Sequence, residues 1–118
     1  MGSEELRQRT KRFALRVMKP VDALPKTSVG RAIGGQLVRS GTSVGANYRA
    51  ACRGRSKAEF TAKMGTVAEE ADESCFWMEL IIEGGLLEEC LVASLLKEAD
   101  ELTAIFTAAT KTSKARSG

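Results

Sequence analysis

Gly41-Thr42-Ser43-Val44-Gly45 fits G-x-S-x-G, the pattern of a serine nucleophile raised on a sharp turn. That chemistry needs a strand-to-helix turn and a histidine base, and the chain contains no histidine. The same absence removes the commonest general base and the Ser–His and Cys–His nucleophile pairs. Ser94-Leu95-Leu96-Lys97 fits S-x-x-K, but 118 residues are too few for the enzymes that use that pair. Glu69, Glu70 and Glu73 would lie close together on a helix, where carboxylates can ligate a metal. Di-iron helical proteins complete such a set with Glu-x-x-His pairs, which this chain cannot supply. Cys52, Cys75 and Cys90 are an odd, widely spaced set without C-x-x-C, so neither a disulfide framework nor a four-cysteine zinc site can be drawn. They read as small apolar side chains in a reducing compartment. The expectation is a non-enzymatic protein with no catalytic residue, metal or cofactor.

What remains is charge. Residues 1–57 carry thirteen Lys/Arg against three Asp/Glu, and residues 58–118 carry five against twelve, an asymmetry hidden within a net charge of +3. Either the basic half folds against the acidic half, or exposed cations face a polyanion. Two basic groupings stand out: Arg9, Arg12, Arg16 and Lys19, which step along one helical ridge, and Arg49, Arg53, Arg55 and Lys57 around a turn. These eight are the candidate nucleic-acid-binding residues.

The elements that must carry them are helices. Ala, Glu, Lys, Leu and Arg make up close to half of the chain, with two prolines and 5% aromatics. An apolar share of 43% excludes disorder, and the length suits a single domain over residues 1–118. A first helix is expected near Ser3, where Ser3-Glu4-Glu5 supplies a cap and first-turn acids, with Leu6, Phe13, Val17, Val21 and Leu24 as its apolar stripe. Pro20 should kink it or end it at Lys19, and Pro25 ends it firmly. A second helix runs from a Thr27 or Ser28 cap to Cys52, burying Ile33, Leu37, Ser40, Val44, Asn47 or Tyr48, and Ala51. Gly41 and Gly45, one turn apart, would let a neighbouring helix approach closely. After Arg53-Gly54-Arg55, the run Ser56-Lys57-Ala58-Glu59 matches a capping box, in which Ser56 and Glu59 satisfy each other's free amides. The third helix carries Phe60, Met64, Val67, Ala71, Cys75, Met78 and Ile82 inward and stops at Gly84-Gly85. The fourth carries Leu91 or Val92, Leu95, Ala99, Leu102, Phe106 and Ala109, with residues 111–118 expected to fray. Short connections between four helices imply an all-α, antiparallel up-down-up-down four-helix bundle. No apolar run approaches the roughly 18 residues of a membrane span, and the N-terminus lacks a signal peptide's apolar core. A soluble, cytoplasmic protein is expected.

Arg39 lies at the edge of the buried stripe of the second helix, and a buried arginine requires a carboxylate. Arg39, Ser40, Ser43 and Asn47, with Glu70 and Glu73 of the third helix, are therefore read as a structural polar network. A ligand-binding role is the alternative.

The segment Arg39-Ser40-Gly41-Thr42-Ser43-Val44-Gly45-Ala46-Asn47-Tyr48-Arg49, followed by Arg55-Ser56-Lys57-Ala58-Glu59-Phe60, resembles the 23S rRNA intervening-sequence proteins. Glu70-Ala71-Asp72-Glu73, Trp77, Glu79-Leu80 and the run from Leu95 to Leu102 are also similar to that family, so the likeness spans about Arg12 to Lys114. Gly34-Gly35 and Ala50 depart from it. The resemblance implies a four-helix bundle assembled as a ring-shaped homopentamer, without established catalysis, associated with RNA or with a nucleic-acid-processing protein. Two functions follow. One is a non-enzymatic oligomeric binder of RNA or DNA; the other is a homo-oligomeric interaction scaffold whose basic and acidic faces meet between subunits. Trp77 and Tyr48 offer little base stacking, so any nucleic-acid binding should be electrostatic and weakly selective.

Overall fold

Apolar residues at helical spacing become four long helices in the computed structural model, which describes residues 2–117. They are α1 (Ser3–Ala23), α2 (Ser28–Cys52), α3 (Lys57–Glu83) and α4 (Ala93–Ser117), with one 3-10 turn at Glu89–Leu91; the described residues include no strand. Gly41 of α2 lies against Val17 of α1, Ser40 bonds Ser74 of α3, and Cys75 of α3 bonds Asp100 of α4. Further along, Gly45 of α2 meets Thr10 of α1 and Thr61 of α3 bonds Ser113 of α4. Numbering thus rises along one helix as it falls along its neighbour, and the short connection 53–56 turns α3 back along α2. Successive helices are antiparallel. The result measures 46 × 22 × 20 Å. Phe13, Val17, Leu37, Val44, Val67, Met78, Ile81, Val92, Leu102 and Phe106 fill the shared core. Tyr48 meets Phe106 edge-on at 5.2 Å between ring centroids.

Two glycines decide how closely α1 and α2 pack. A Cβ on Gly41 would stand 2.7 Å from Val17 Cγ2, and one on Gly45 would stand 3.2 Å from the Thr10 carbonyl oxygen. Packing gained at this crossing offsets the roughly 1 kcal/mol that each glycine costs the helix relative to alanine.

Local signals were read correctly in part. Thr27 caps α2 by accepting the Gly30 amide at 3.1 Å, and Ser56 caps α3 by accepting the Glu59 amide at 3.0 Å. The Glu59 carboxylate, however, accepts from the Arg55 amide at 3.2 Å, one residue earlier than a standard capping box requires. Gly85 takes a left-handed φ of 68° just past the end of α3, a conformation glycine reaches without strain.

Other expectations are corrected. Pro20 neither ends α1 nor shortens it at Lys19: the helix continues to Ala23. Pro20 is itself buried, so apolar packing offsets its missing hydrogen bond. The helix ends where Leu24 turns extended before Pro25. The cap of α1 is Gly2, without a side-chain hydrogen bond, rather than Ser3. In α3, Ile81 rather than Ile82 is fully buried, and before α4 Val92 enters the core while Leu91 stays exposed. The segment expected to fray from Lys111 is helical through Ser117, because Ser113 is buried and hydrogen-bonded to Thr61 of α3. Gly118 lies outside the described residues. Among those described, no helix is long and apolar enough to cross a membrane.

Candidate functional site

The antiparallel arrangement brings the starts of α1 and α3 to the same end of the bundle as the finishes of α2 and α4. Half of the chain's 18 Lys/Arg gather there. Arg49 lies on the last turn of α2 and Arg53 caps it, Arg55 lies in the turn to α3 and Lys57 begins that helix, and Arg7 and Lys11 lie on the first turns of α1. Lys111, Lys114 and Arg116, on the last turns of α4, join them. Cations at the finish of α2 and α4 also meet the negative end of each helix dipole. At the opposite end stand Glu79, Glu83, Glu88 and Glu89. Lys19, Lys26 and Arg31 share that end, so its charge is mixed. Each half of the sequence spans the bundle, so the asymmetry between halves is not itself a polarity along the axis.

The ridge of Arg9, Arg12, Arg16 and Lys19 does not form one free surface. Arg9 donates through Nε and Nη2 to both oxygens of Glu98 at 2.8 Å each, and again to Glu101 at 3.1 Å. Its side chain is only 21% exposed. Hydrogen bonds from Arg9 hold the Glu98 carboxyl below the usual carboxylate range against the opposing effect of burial, with Arg16 and Arg12 adding their fields. Bonding to Glu98 likewise pushes the Arg9 pKa up. Arg16 donates to the Ser94 hydroxyl at 3.1 Å. This flank of α1 is a polar seam against α4, and Arg9 is a structural ion-pair residue. Lys19 is exposed near the far end of α1, away from the basic cluster.

On its other flank α1 forms a groove of about 540 Å³ with α2. Arg7 and Lys11 line one wall, Arg49 and Arg53 the other, over a floor that includes Ala14, Thr42, Gly45 and Ala46. Glu4 stands at the rim, paired with Arg7 in an exposed contact. Hydrogen bonds from Gln8 and Arg7 hold its carboxyl below the usual value. Lys11, Arg49 and Arg53 form no ion pair among the described residues.

Sequence reasoning selected Arg49, Arg53, Arg55 and Lys57 but missed Arg7 and Lys11, which share the groove. Their signal was the same one-turn spacing that drew attention to the ridge. Lys111, Lys114 and Arg116 were passed over because their segment was assigned to a frayed tail.

The polar network divides into three parts. Arg39 pairs with Glu70 at 3.2 Å and with Glu73, while Trp77 donates its indole N–H to Glu73 at 3.2 Å. Arg39 is 46% exposed rather than buried: its long side chain carries the charge out to water between α2 and α3. Burial opposes ionisation of Glu73, but the bonds from Trp77 and Arg39 prevail and lower its pKa. Inside this ion pair, the Ser40 and Ser74 hydroxyls bond each other at 2.9 Å in the core. Asn47 stands apart, donating at 2.9 Å to the Ser43 carbonyl of its own helix.

Burial pushes the Cys75 thiol up to about 12, and its bond to Asp100 at 3.3 Å adds to the shift. Burial also raises Tyr48 to about 12. No group of three His, Cys, Asp or Glu suited to a metal occurs among the described residues.

Comparison with known proteins agrees with this architecture. The family model described as 23S rRNA-intervening sequence protein matches residues 3–108. Among solved structures, the chain is similar to the crystal structure of a protein of unknown function from the S23 ribosomal protein family of Bacteroides thetaiotaomicron. The two share 27% identity at a TM-score of 0.85, covering 94% of this chain and 99% of the other. No curated protein matches the chain.

Proposed function

The chain belongs to the 23S rRNA-intervening sequence protein family, and from that membership we propose that it is a non-enzymatic, RNA-associated protein that binds nucleic acid through the basic end of its bundle. The observation that carries this reading is the convergence of Arg49, Arg53, Arg55, Lys57, Lys114 and Arg116 on one end. All six are exposed. Such a surface attracts phosphates by charge and releases their counterions on contact, with little discrimination among bases. Tyr48 is buried and offers no ring for stacking. The protein therefore acts as an accessory that holds RNA or DNA, in the cytoplasm, without altering it.

Copies of the chain assemble into a ring, a homopentamer, in this reading. The basic residues of α1 and α2 against the acids of α3 and α4, and the exposed Leu15, Met18, Phe76 and Leu91, support a heterologous contact that repeats around a closed ring. Repetition strengthens individually weak phosphate contacts through avidity. The same complementarity favours the second reading, a scaffold whose basic and acidic faces satisfy each other between subunits.

Titration of the wild-type protein with RNA and with DNA at low salt separates the two. Binding that falls steeply as salt rises, and is lost on combining Lys57→Glu, Lys114→Glu and Arg116→Glu, supports the nucleic-acid reading. A wild type that ignores both polymers leaves the scaffold. Native mass spectrometry showing a monomer at micromolar concentration overturns the ring.

A further inference from the structure

The α1–α2 groove, about 540 Å³, is larger than the hollow of about 260 Å³ beside Lys57 and Arg116 between α3 and α4. It is lined by four cations, two from each helix. Arg7 and Lys11 are one helical turn apart on α1, and Arg53, the C-cap of α2, follows Arg49 of its last turn by four residues. Arg7 and Lys11 are thus separated by about 6 Å of helix rise. That matches the interval between successive phosphates of an extended polynucleotide strand. The walls stay close because α1 and α2 nearly touch at Gly45, where only 3.2 Å separates an added Cβ from the Thr10 carbonyl oxygen. A single strand can lay its backbone between the two pairs of cations. Its floor of small side chains leaves room for a backbone and provides no aromatic face for a base.

Glu4 is the one acid at the rim, and its partner is Arg7. Exposed pairs of this kind contribute little, so exchanging the carboxylate for a phosphate costs little. Arg49, Arg53 and Lys11 need no exchange, since none is paired within the described chain. We propose that this groove seats the phosphodiester backbone of a single polynucleotide strand, with Arg7 and Lys11 on one side, Arg49 and Arg53 on the other, and the bases turned outward. The inference rests on the nucleic-acid reading above and locates its primary contact.

The experiment follows a fluorescein-labelled oligouridylate by anisotropy at low salt, with circular dichroism to verify that each variant is folded. Arg49→Glu combined with Arg53→Glu is expected to weaken binding at least about 30-fold. Arg49→Gln combined with Arg53→Gln should lower the slope of log K against log salt by about 1.4, two phosphates' share for a single strand. Ala46→Leu blocks the floor without altering charge at an exposed position, and is expected to weaken binding at least about tenfold. Arg55→Glu with Lys57→Glu, beyond the groove, should cost less than the groove reversal.

Wild-type affinity retained by both Arg49→Glu/Arg53→Glu and Ala46→Leu overturns the groove, and leaves the broader reading standing if Arg55→Glu/Lys57→Glu loses binding. A duplex of equal length that competes better than the single strand also overturns it. So does dissociation of the oligomer by Arg49→Glu/Arg53→Glu in native mass spectrometry, which would identify an acidic face of a second copy as the occupant. A wild type that binds no oligouridylate and no DNA removes both readings together.

Discussion

The two flanks of α1 carry similar arginines to opposite ends. Arg9 turns toward α4 and is neutralised by Glu98 and Glu101, so its charge serves the fold. Arg7 and Lys11 turn toward α2, where their neighbours across the groove are further cations, Arg49 and Arg53. The α2 flank can carry unneutralised charge because its cohesion comes from elsewhere, the close packing at Gly41 and Gly45. On the α4 flank the helices contact each other less, and the ion pairs supply the specific connection. A cation is available to a ligand where apolar packing already holds the helices together.

Gly41→Leu should give the largest effect and would test whether packing secures the α2 flank. Even the Cβ would collide with the fully buried Val17, so stability should fall by about 3 kcal/mol despite the better helix former, as measured by urea unfolding. An unchanged midpoint would mean that the crossing is loose.

Arg9→Ala tests the α4 flank. Losing charge-assisted but partly solvated bonds to Glu98 and Glu101 should cost about 1.5 kcal/mol, read from the same unfolding curves. Acid should produce a related loss. The Glu98 pKa is lower folded than unfolded, so its contribution is present at neutral pH and disappears as pH falls through the folded value. Thermal melts taken from pH 7 to pH 3 should show this acid-side loss in the wild type, and a shallower one in Arg9→Ala.

Gly35→Ala sharpens the contrast with Gly41. Nothing lies within 4 Å of the added methyl, so the helix gains about 0.7 kcal/mol and the melting temperature rises. The smallest effect is expected from Arg39→Ala, whose ion pairs with Glu70 and Glu73 are largely open to solvent. A melting shift as large as that of Arg9→Ala would show that exposure does not distinguish the two arginines.

Four helices, their antiparallel order and most of their ends were legible in the sequence, because each depends on neighbours within a few positions. Leu6, Phe13 and Val17 announce one face, Ser56 and Thr27 announce caps, and Leu24-Pro25 announces a stop. The helix end at Lys19 and the frayed segment from Lys111 fail as expectations for a common reason. Local preference opposed helix at both, and burial on a partner helix prevailed, for Pro20 in the core and for Ser113 against Thr61.

The chain alone determined a helical protein without histidine chemistry and with a strong division of charge. Which charges remain available was decided only by the tertiary structure. Arg7 and Arg9 are two residues apart and equally basic, yet a helix turns successive positions by about 100° and sends them to different neighbours. Only once α4 places Glu98 beside one, and α2 places Arg49 and Arg53 across from the other, does one become a clasp and the other a wall of a basic groove. Charge availability depends on distances across the bundle, and those arise from packing among helices far apart in sequence.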